Sequence, residues 1–122
     1  MVSELERLLA NSYAPYDHVC FSAIVQMKDK TTFGGVTIKN RTFRDTIFAE
    51  SLAIARAVTA GYKYKDFEAI YIMVGTKNIN DLKYLNRDVI TEFLEPDKHV
   101  YLYDLNRNER ILKVGNLVNN IY

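Results

Sequence analysis

Residues 44–61 read RDTIFAESLAIARAVTAG and decide the fold of this chain of 122 residues. Small residues recur at every fourth position of the stretch: Ala49, Ala53 and Ala57. Residues four apart lie on one face of a helix, so the recurrence predicts a helix with one very small edge. Such an edge lets the helix backbone approach its neighbour closely, and the neighbour expected here is a β-sheet.

The predicted helix runs over about residues 46–60. Asp45 or Thr46 is placed to cap its first free amides, and Gly61 stands where a helix commonly ends. A carboxylate, Glu50, falls in the first turns, where the helix enters the core. Charged side chains are seldom buried unless they are paired. Glu50 is therefore the first candidate for a functional residue, and a buried, paired acid is the alternative.

The segments around this helix alternate between strand-like and helix-like patterns. A helix is predicted over 3–11, strands over 18–27 and 32–38, the helix over 46–60, a strand over 67–76, a helix from residue 80 or 81 to 94, strands over 99–105 and 110–114, and a helical turn in the tail. Gly34 and Gly35 mark a bulge or a close backbone approach. This order predicts an α/β fold, a three-layer α/β/α sandwich with a mixed five-stranded sheet.

The composition is that of one globular domain spanning residues 1–122. Apolar residues make up 48% of the chain, and the formal net charge is +1. This balance carries no general signature of nucleic-acid or membrane binding, and the sequence has no run of 18 apolar residues. The single cysteine, Cys20, forms no internal disulfide, and the N-terminus is unlike a signal peptide, so we expect a cytoplasmic protein.

Three short motifs, in the order expected, resemble one enzyme family. Residues 13–16, YAPY, are similar to the motif A-Y-A-P-Y-S, and residues 48–50, FAE, stand where the family has C-A-E. Residues 87–93, RDVITEF, resemble the end of P-C-x-x-C-R-Q-V-I-x-E-F. With the matching length and element order, the whole chain resembles the small, tetrameric cytidine deaminases that act on free nucleosides.

The resemblance implies a hydrolytic activity of pyrimidine salvage that converts cytidine to uridine. In this family a zinc ion held by three thiolates activates a water, and a glutamate that is not a ligand moves the proton. The glutamate corresponds to Glu50. The three thiolate positions correspond to Phe48, Lys83 and Asn86. A phenyl ring, an ammonium group and an amide do not replace thiolates as zinc ligands, so we expect no metal cofactor.

Other positions that the resemblance assigns to the active site have also changed. The N-x-E motif that holds the ribose corresponds to Thr37 and Lys39, so a cation replaces an acid. The aromatic residue that stacks on the base corresponds to Val19. Ser51 stands where an arginine offsets the thiolate charge. We expect Val19, Thr37 and Lys39 to line a remnant of the substrate pocket.

Several residues keep two interpretations at this point. Lys83 is predicted either to pair with Glu50 or to be a solvated helix residue. A basic cluster in the loop before the second helix is predicted either to contact a phosphate or to be solvated or intersubunit: Lys39, Arg41 and Arg44. A relocated metal site would have to use His18, Cys20 and His99, of which only the first two share a strand.

The sequence therefore predicts a cytidine deaminase homologue without catalysis. We expect a homo-oligomer, a tetramer or a dimer, because the tail with Leu117 and Tyr122 resembles the family's intersubunit tail. It would bind a pyrimidine nucleoside, a nucleotide-like or phosphate-bearing ligand, or a protein partner. The alternatives are an active cytidine deaminase with a displaced metal site and a non-catalytic partner subunit of an active deaminase.

Overall fold

The computed structural model describes residues 1–16, 19–80 and 85–119. Its helices are α1 (Val2–Leu9), α2 (Ala49–Thr59), α3 (Arg87–Phe93) and α4 (Val114–Asn119). Its strands are β1 (Phe21–Met27), β2 (Thr32–Val36), β3 (Phe67–Val74), β4 (His99–Tyr103) and β5 (Glu109–Lys113). The order of elements is the predicted one. No helix within the described ranges is long and apolar enough to cross a membrane.

The five strands form one mixed sheet in the order β2-β1-β3-β4-β5. β3 and β4 are parallel, and the other neighbouring strands are antiparallel. The parallel pair follows from the connection, because the chain returns from the end of β3 through α3 before it enters β4. The mixed five-stranded sheet is therefore confirmed.

Helices cover both faces of the sheet, as the predicted three-layer sandwich requires. Successive strand residues point to opposite faces. On β1, Ala23 and Val25 belong to the core cluster that includes α2, α3 and α4, whereas Ile24 packs in a second cluster with Leu5 of α1. The central strands β1 and β3 are accordingly buried along nearly their whole length.

The small edge of α2 lies directly on β2. A Cβ atom added at Gly35 would lie 2.5 Å from the carbonyl oxygen of Ala49 and 2.7 Å from the amide nitrogen of Ala53. Ala49, Ala53 and Ala57 are all fully buried. The predicted close backbone approach is thus confirmed at Gly35, and it fixes the first turn of α2 against the sheet.

The start of α2 differs from the prediction. Ile47 is extended and exchanges two backbone hydrogen bonds of 2.9 Å with Ile38, so the helix begins only at Ala49. The predicted capping role of Asp45 or Thr46 is wrong, because Phe48 occupies the N-cap and the Thr46 hydroxyl accepts instead from the Asn40 amide at 3.2 Å. At the other end, Gly61 has a φ of 105°, as expected for the residue that ends a helix.

Other boundaries also shift. β1 begins at Phe21 rather than at residue 18, and α3 begins at Arg87 rather than at residue 80 or 81. Asn86 caps α3 with its side chain. Residues 81–84 of the predicted helix lie outside the described residues, as do His18 and the end of the tail.

Candidate functional site

Glu50 is buried in the first turn of α2, with 1% of its surface exposed. Removal of the carboxyl group from water raises its pKa from 4.5 to about 7. The backbone amides of Glu50 and Asn86 oppose this shift, because they favour the ionised form. Near neutral pH the carboxyl group therefore exists in both protonation states, and it can donate or accept a hydrogen bond.

One oxygen of this carboxyl group is orphaned. Among residues 1–16, 19–80 and 85–119, no hydrogen-bond partner lies within reach of Glu50 Oε2, which is buried from solvent. Buried polar atoms in folded proteins are nearly always hydrogen-bonded, so such an atom needs an explanation. Lys83, the partner that the sequence suggested, lies outside the described residues, and its pairing with Glu50 stays a prediction.

Asn86 joins the beginnings of α2 and α3. Its Oδ1 accepts from the amide of Val89 at 3.3 Å and caps α3, while its Nδ2 donates to Ser51 Oγ at 3.0 Å. The resemblance places a thiolate at residue 86 and an arginine at residue 51. Two neutral side chains thus meet where the family carries opposite charges, and both ends of the amide are in use.

Phe48 stands at the N-cap of α2 and packs against Phe43. The ring centroids are 6.1 Å apart, with an angle of 71° between the ring planes. The Lys39 ammonium group lies 6.0 Å from the centroid of the same Phe43 ring. Phe43 therefore contacts both Phe48, which the resemblance assigns to a thiolate position, and Lys39, which it assigns to the ribose motif. Phe43 was not predicted from the sequence, because its spacing follows no pattern and it is 62% exposed.

The other residues of the predicted pocket remnant have different surroundings. Thr37 is buried, and its hydroxyl accepts from the Phe21 amide at 2.9 Å, which ties it to the beginning of β1. Val19 is half-buried and packs on the larger core cluster. Lys39 is only 6% exposed, and its amide donates to the Tyr13 carbonyl at 2.7 Å.

A surface cavity of about 310 Å³ lies beside Lys39. Its described lining consists of aromatic, cationic and neutral polar residues: Tyr13, Tyr16, Lys39, Asn40, Arg41 and Thr42. The structure therefore brings Lys39 and Arg41 of the basic cluster to one cavity. Arg44 is exposed and is not among the lining residues that the structure describes.

Phe48 and Asn86, which the resemblance assigns to two of the zinc-ligand positions, do not offer donors that suit a zinc ion. The ring of Phe48 has no donor atom, and the amide of Asn86 is committed to Val89 and Ser51. No three His, Cys, Asp or Glu side chains come together as a metal site in the described part of the chain. Cys20 lies beside Gly75, which follows β3, whereas His99 pairs with Ala69 near the start of β3, so the two sit toward opposite ends of that strand.

Curated relatives of the chain are cytidine deaminases. The cytidine deaminase of Mycoplasma genitalium is 30% identical over 64% of this chain, a match that spans 58% of that relative. The enzyme of Sporosarcina psychrophila is 28% identical over 86% of this chain and 76% of its own length. The enzyme of Halalkalibacterium halodurans is 27% identical over 97% and 88%, respectively. No protein-family model matches the chain.

Solved structures agree with these relatives. The cytidine deaminase of Burkholderia pseudomallei superposes with a TM-score of 0.87 at 25% identity, over 95% of this chain and 91% of that one. The cytidine deaminase of Mycobacterium leprae shares the fold with a TM-score of 0.73 at 19% identity, over 95% and 92%. By sequence and by fold, the chain is a homologue of the cytidine deaminases.

Proposed function

We propose that the chain is a cytidine deaminase homologue that does not generate a metal-bound hydroxide and that binds a pyrimidine-like ligand beside Glu50. The observation that carries the proposal is that a buried acid is retained while the side chains assigned to the metal positions lack zinc-binding groups. By resemblance, Glu50 corresponds to the family's glutamate, and it is buried, while Phe48 and Asn86 supply no thiolate. The acid is therefore retained although no residue at these positions would hold the zinc ion that works with it in the family.

The remaining carboxyl group is a weak catalyst by itself. Without a metal, the nucleophile is ordinary water, whose pKa is about 15.7. A single positioned acid or base contributes about 10²–10⁴-fold, whereas enzymes commonly reach about 10⁶-fold or more. The gap is too wide for Glu50 alone to sustain deamination at a useful rate.

A bound ligand would give Glu50 Oε2 a hydrogen-bond partner. A buried polar atom without a partner costs about 1–3 kcal/mol in protein mutational data, so a ligand that supplies the missing hydrogen bond gains that amount. With a pKa near 7, Glu50 offers a carboxylate to an N–H group or a carboxyl O–H group to a ring nitrogen. The edge of a pyrimidine base presents both kinds of group.

Association of several copies is also part of the proposal. It is supported by the resemblance of the tail to the family's intersubunit tail and by an apolar groove of about 280 Å³ between α2 and α3, which is lined by Val58, Val89 and Phe93 among others. Val58 is 42% exposed in the single chain. Light scattering coupled to size-exclusion chromatography should give the mass of a dimer or a tetramer, and a monomer at micromolar concentration would refute association.

The ligand proposal is tested by calorimetric titration with cytidine and uridine. We expect saturable binding to the wild type, and loss of that binding in Glu50→Ala with an unchanged circular dichroism spectrum. Glu50→Gln keeps the size of the side chain and one oxygen acceptor, so it should retain part of the affinity. Equal binding by wild type and Glu50→Ala would refute a role of Glu50 in recognition.

A further inference from the structure

We propose that a second copy of this chain docks on an apolar surface formed by three short extended segments, and that Arg44 of each copy pairs with Asp45 of the other. The inference rests on the proposed association of several copies and names a surface for it, and it does not depend on ligand binding. Three observations carry it: the exposure of the apolar side chains, the reversed polarity of the segments, and two opposite charges in the adjoining turn.

Three short extended segments pair with one another beyond the named strands. Tyr13 pairs with Ile38 in the parallel sense, and Ile38 pairs with Ile47 in the antiparallel sense. The Tyr13 amide donates to the Thr37 carbonyl at 2.9 Å, and the Lys39 amide donates to the Tyr13 carbonyl at 2.7 Å. Paired residues on neighbouring strands point to the same face, and neighbouring strands lie about 4.7–4.9 Å apart. The side chains of Tyr13, Ile38 and Ile47 therefore form one continuous row.

The polarity of these segments is the reverse of the usual one. The side chains of the row are exposed, at 54% for Tyr13, 37% for Ile38 and 41% for Ile47. The residues next to them along the chain point to the opposite face and include three that are polar and buried: Thr37, Lys39 and Thr46. A half-buried strand ordinarily turns its apolar side chains inward and its polar ones outward. An apolar row that faces outward therefore indicates an interaction surface.

The turn between two of the segments carries opposite charges on adjacent residues. This turn is a single 3₁₀ turn, Phe43–Asp45, and the Asp45 amide donates to the Thr42 carbonyl at 2.9 Å, which fixes its backbone. Arg44 and Asp45 are both exposed. Within residues 1–16, 19–80 and 85–119, neither side chain takes part in an ion pair. Both charges are therefore available to another molecule.

Adjacent opposite charges favour a second copy of this chain over a partner whose surface carries one sign of charge. In a contact with two-fold symmetry, one residue of the first copy meets a different residue of the second, and the reverse contact also forms. An arginine beside an aspartate is self-complementary in such a contact, because each copy offers Asp45 to Arg44 of the other. Guanidinium and carboxylate groups form strong two-point hydrogen bonds, and each interface would contain two such pairs.

The experiment exchanges the two charges on the full chain. Arg44→Asp would set acids against acids at both pairs of the interface, and Asp45→Arg would set arginines against arginines. We expect each single variant to raise the dissociation constant of the oligomer, measured by analytical ultracentrifugation, about tenfold or more, because like charges face each other. An equimolar mixture of the two variants sets arginines against acids again at both pairs. That mixture should regain most of the lost affinity.

A second mixture separates specific pairing from general attraction. Arg41→Asp mixed with Asp45→Arg has the same total charge as the first mixture, but its new acid lies elsewhere in the loop. We expect this mixture to stay dissociated. The apolar row is tested by Ile47→Asp, which replaces an exposed side chain. It should also raise the dissociation constant about tenfold or more, with an unchanged circular dichroism spectrum.

Failure of this surface differs from failure of the proposed association. If the wild type associates and neither charge variant changes its dissociation constant, association stands and the surface falls. If both variants dissociate and their mixture does not reassociate, or if both mixtures reassociate equally, the pairing of Arg44 with Asp45 is overturned. A monomeric wild type refutes association and this surface together, whereas binding of a pyrimidine beside Glu50 is unaffected by any of these results.

Discussion

Asn86 Nδ2 donates a hydrogen bond of 3.0 Å to Ser51 Oγ, and this contact joins α2 to α3 at their first turns. By resemblance to cytidine deaminases, these positions carry a metal-binding thiolate and the arginine that offsets thiolate charge. The two changes are physically linked, because an arginine kept beside a lost thiolate would be a poorly compensated charge near the core. At this point a neutral hydrogen bond holds the beginnings of the two helices together.

The Asn86–Ser51 bond predicts coupled effects on stability. Asn86→Ala removes the cap of α3 as well as the bond, so we expect a loss of about 1–2 kcal/mol of unfolding free energy. Ser51→Ala should cost less, because it removes the bond alone. In urea denaturation of the two single variants and the double variant, we expect a coupling energy of about 0.5–1.5 kcal/mol. Strict additivity would show that the bond contributes nothing.

The raised pKa of Glu50 predicts a distinctive pH dependence. In the folded chain Glu50 keeps its proton up to about pH 7, whereas a glutamate in the unfolded chain, with a pKa of 4.5, has already released it. The folded state thus binds more protons in this window, and the contribution of Glu50 to stability falls as the pH rises from about 5 to 8. Over that range, the unfolding free energy of Glu50→Gln relative to wild type should rise by up to about 3 kcal/mol, because each pKa unit corresponds to ~1.36 kcal/mol.

The control for this prediction is Glu92→Gln, which removes an exposed carboxylate from α3. Denaturant midpoints measured at several pH values should run parallel for Glu92→Gln and wild type and should diverge for Glu50→Gln. A Glu50→Gln curve parallel to that of wild type would mean that the carboxyl group is ionised and satisfied in the folded state.

The close contact between β2 and α2 predicts different tolerances of two adjacent glycines. Gly35→Ala would push a methyl group into the backbone of α2, and we expect a loss of about 3 kcal/mol or more, the upper end of overpacking. Gly34→Ala would meet mainly the flexible end of Leu8, at 2.8 Å, which can move away. In thermal denaturation, the melting temperature of Gly35→Ala should therefore lie well below that of Gly34→Ala. The reverse order would contradict the packing of α2 on the sheet.

Restoring the thiolates tests the alignment of the site. The triple variant Phe48→Cys, Lys83→Cys and Asn86→Cys should bind about one zinc ion per chain, because three thiolates supply most of a tetrahedral site. The matched control, Phe48→Cys alone, should bind zinc only weakly. Atomic absorption after dialysis measures both. A folded triple variant without zinc would show that these residues do not occupy the ligand positions.

The order of elements could be predicted because it depends on local patterns. The alanine spacing of α2 and the continuous apolar run of β1 are each visible in a short window of sequence, and both elements are present. The start of α2 was misplaced because capping preferences are local, whereas Ile47 is held in an extended conformation by Ile38 on a different segment. Pairing between distant residues has no signature in a short window of sequence.

The site was predictable only where resemblance assigned a position. Glu50 and Lys39 were named from motifs, and the structure places both in buried settings. The contact of Asn86 with Ser51 and the bridging ring of Phe43 were not foreseen. Both contacts depend on how separate segments meet in three dimensions, and no motif spacing in the sequence implies either contact.

The most direct test of the central claim is the conversion of cytidine to uridine by the purified wild-type chain after incubation with zinc, with and without a chelator. The claim is that the residues at the family's metal position do not hold a zinc ion, because Phe48 has no donor atom and the amide of Asn86 is already hydrogen-bonded. We expect no uridine above the level of the buffer, and no loss of product when the chelator is added. Turnover of cytidine that the chelator abolishes would contradict the account.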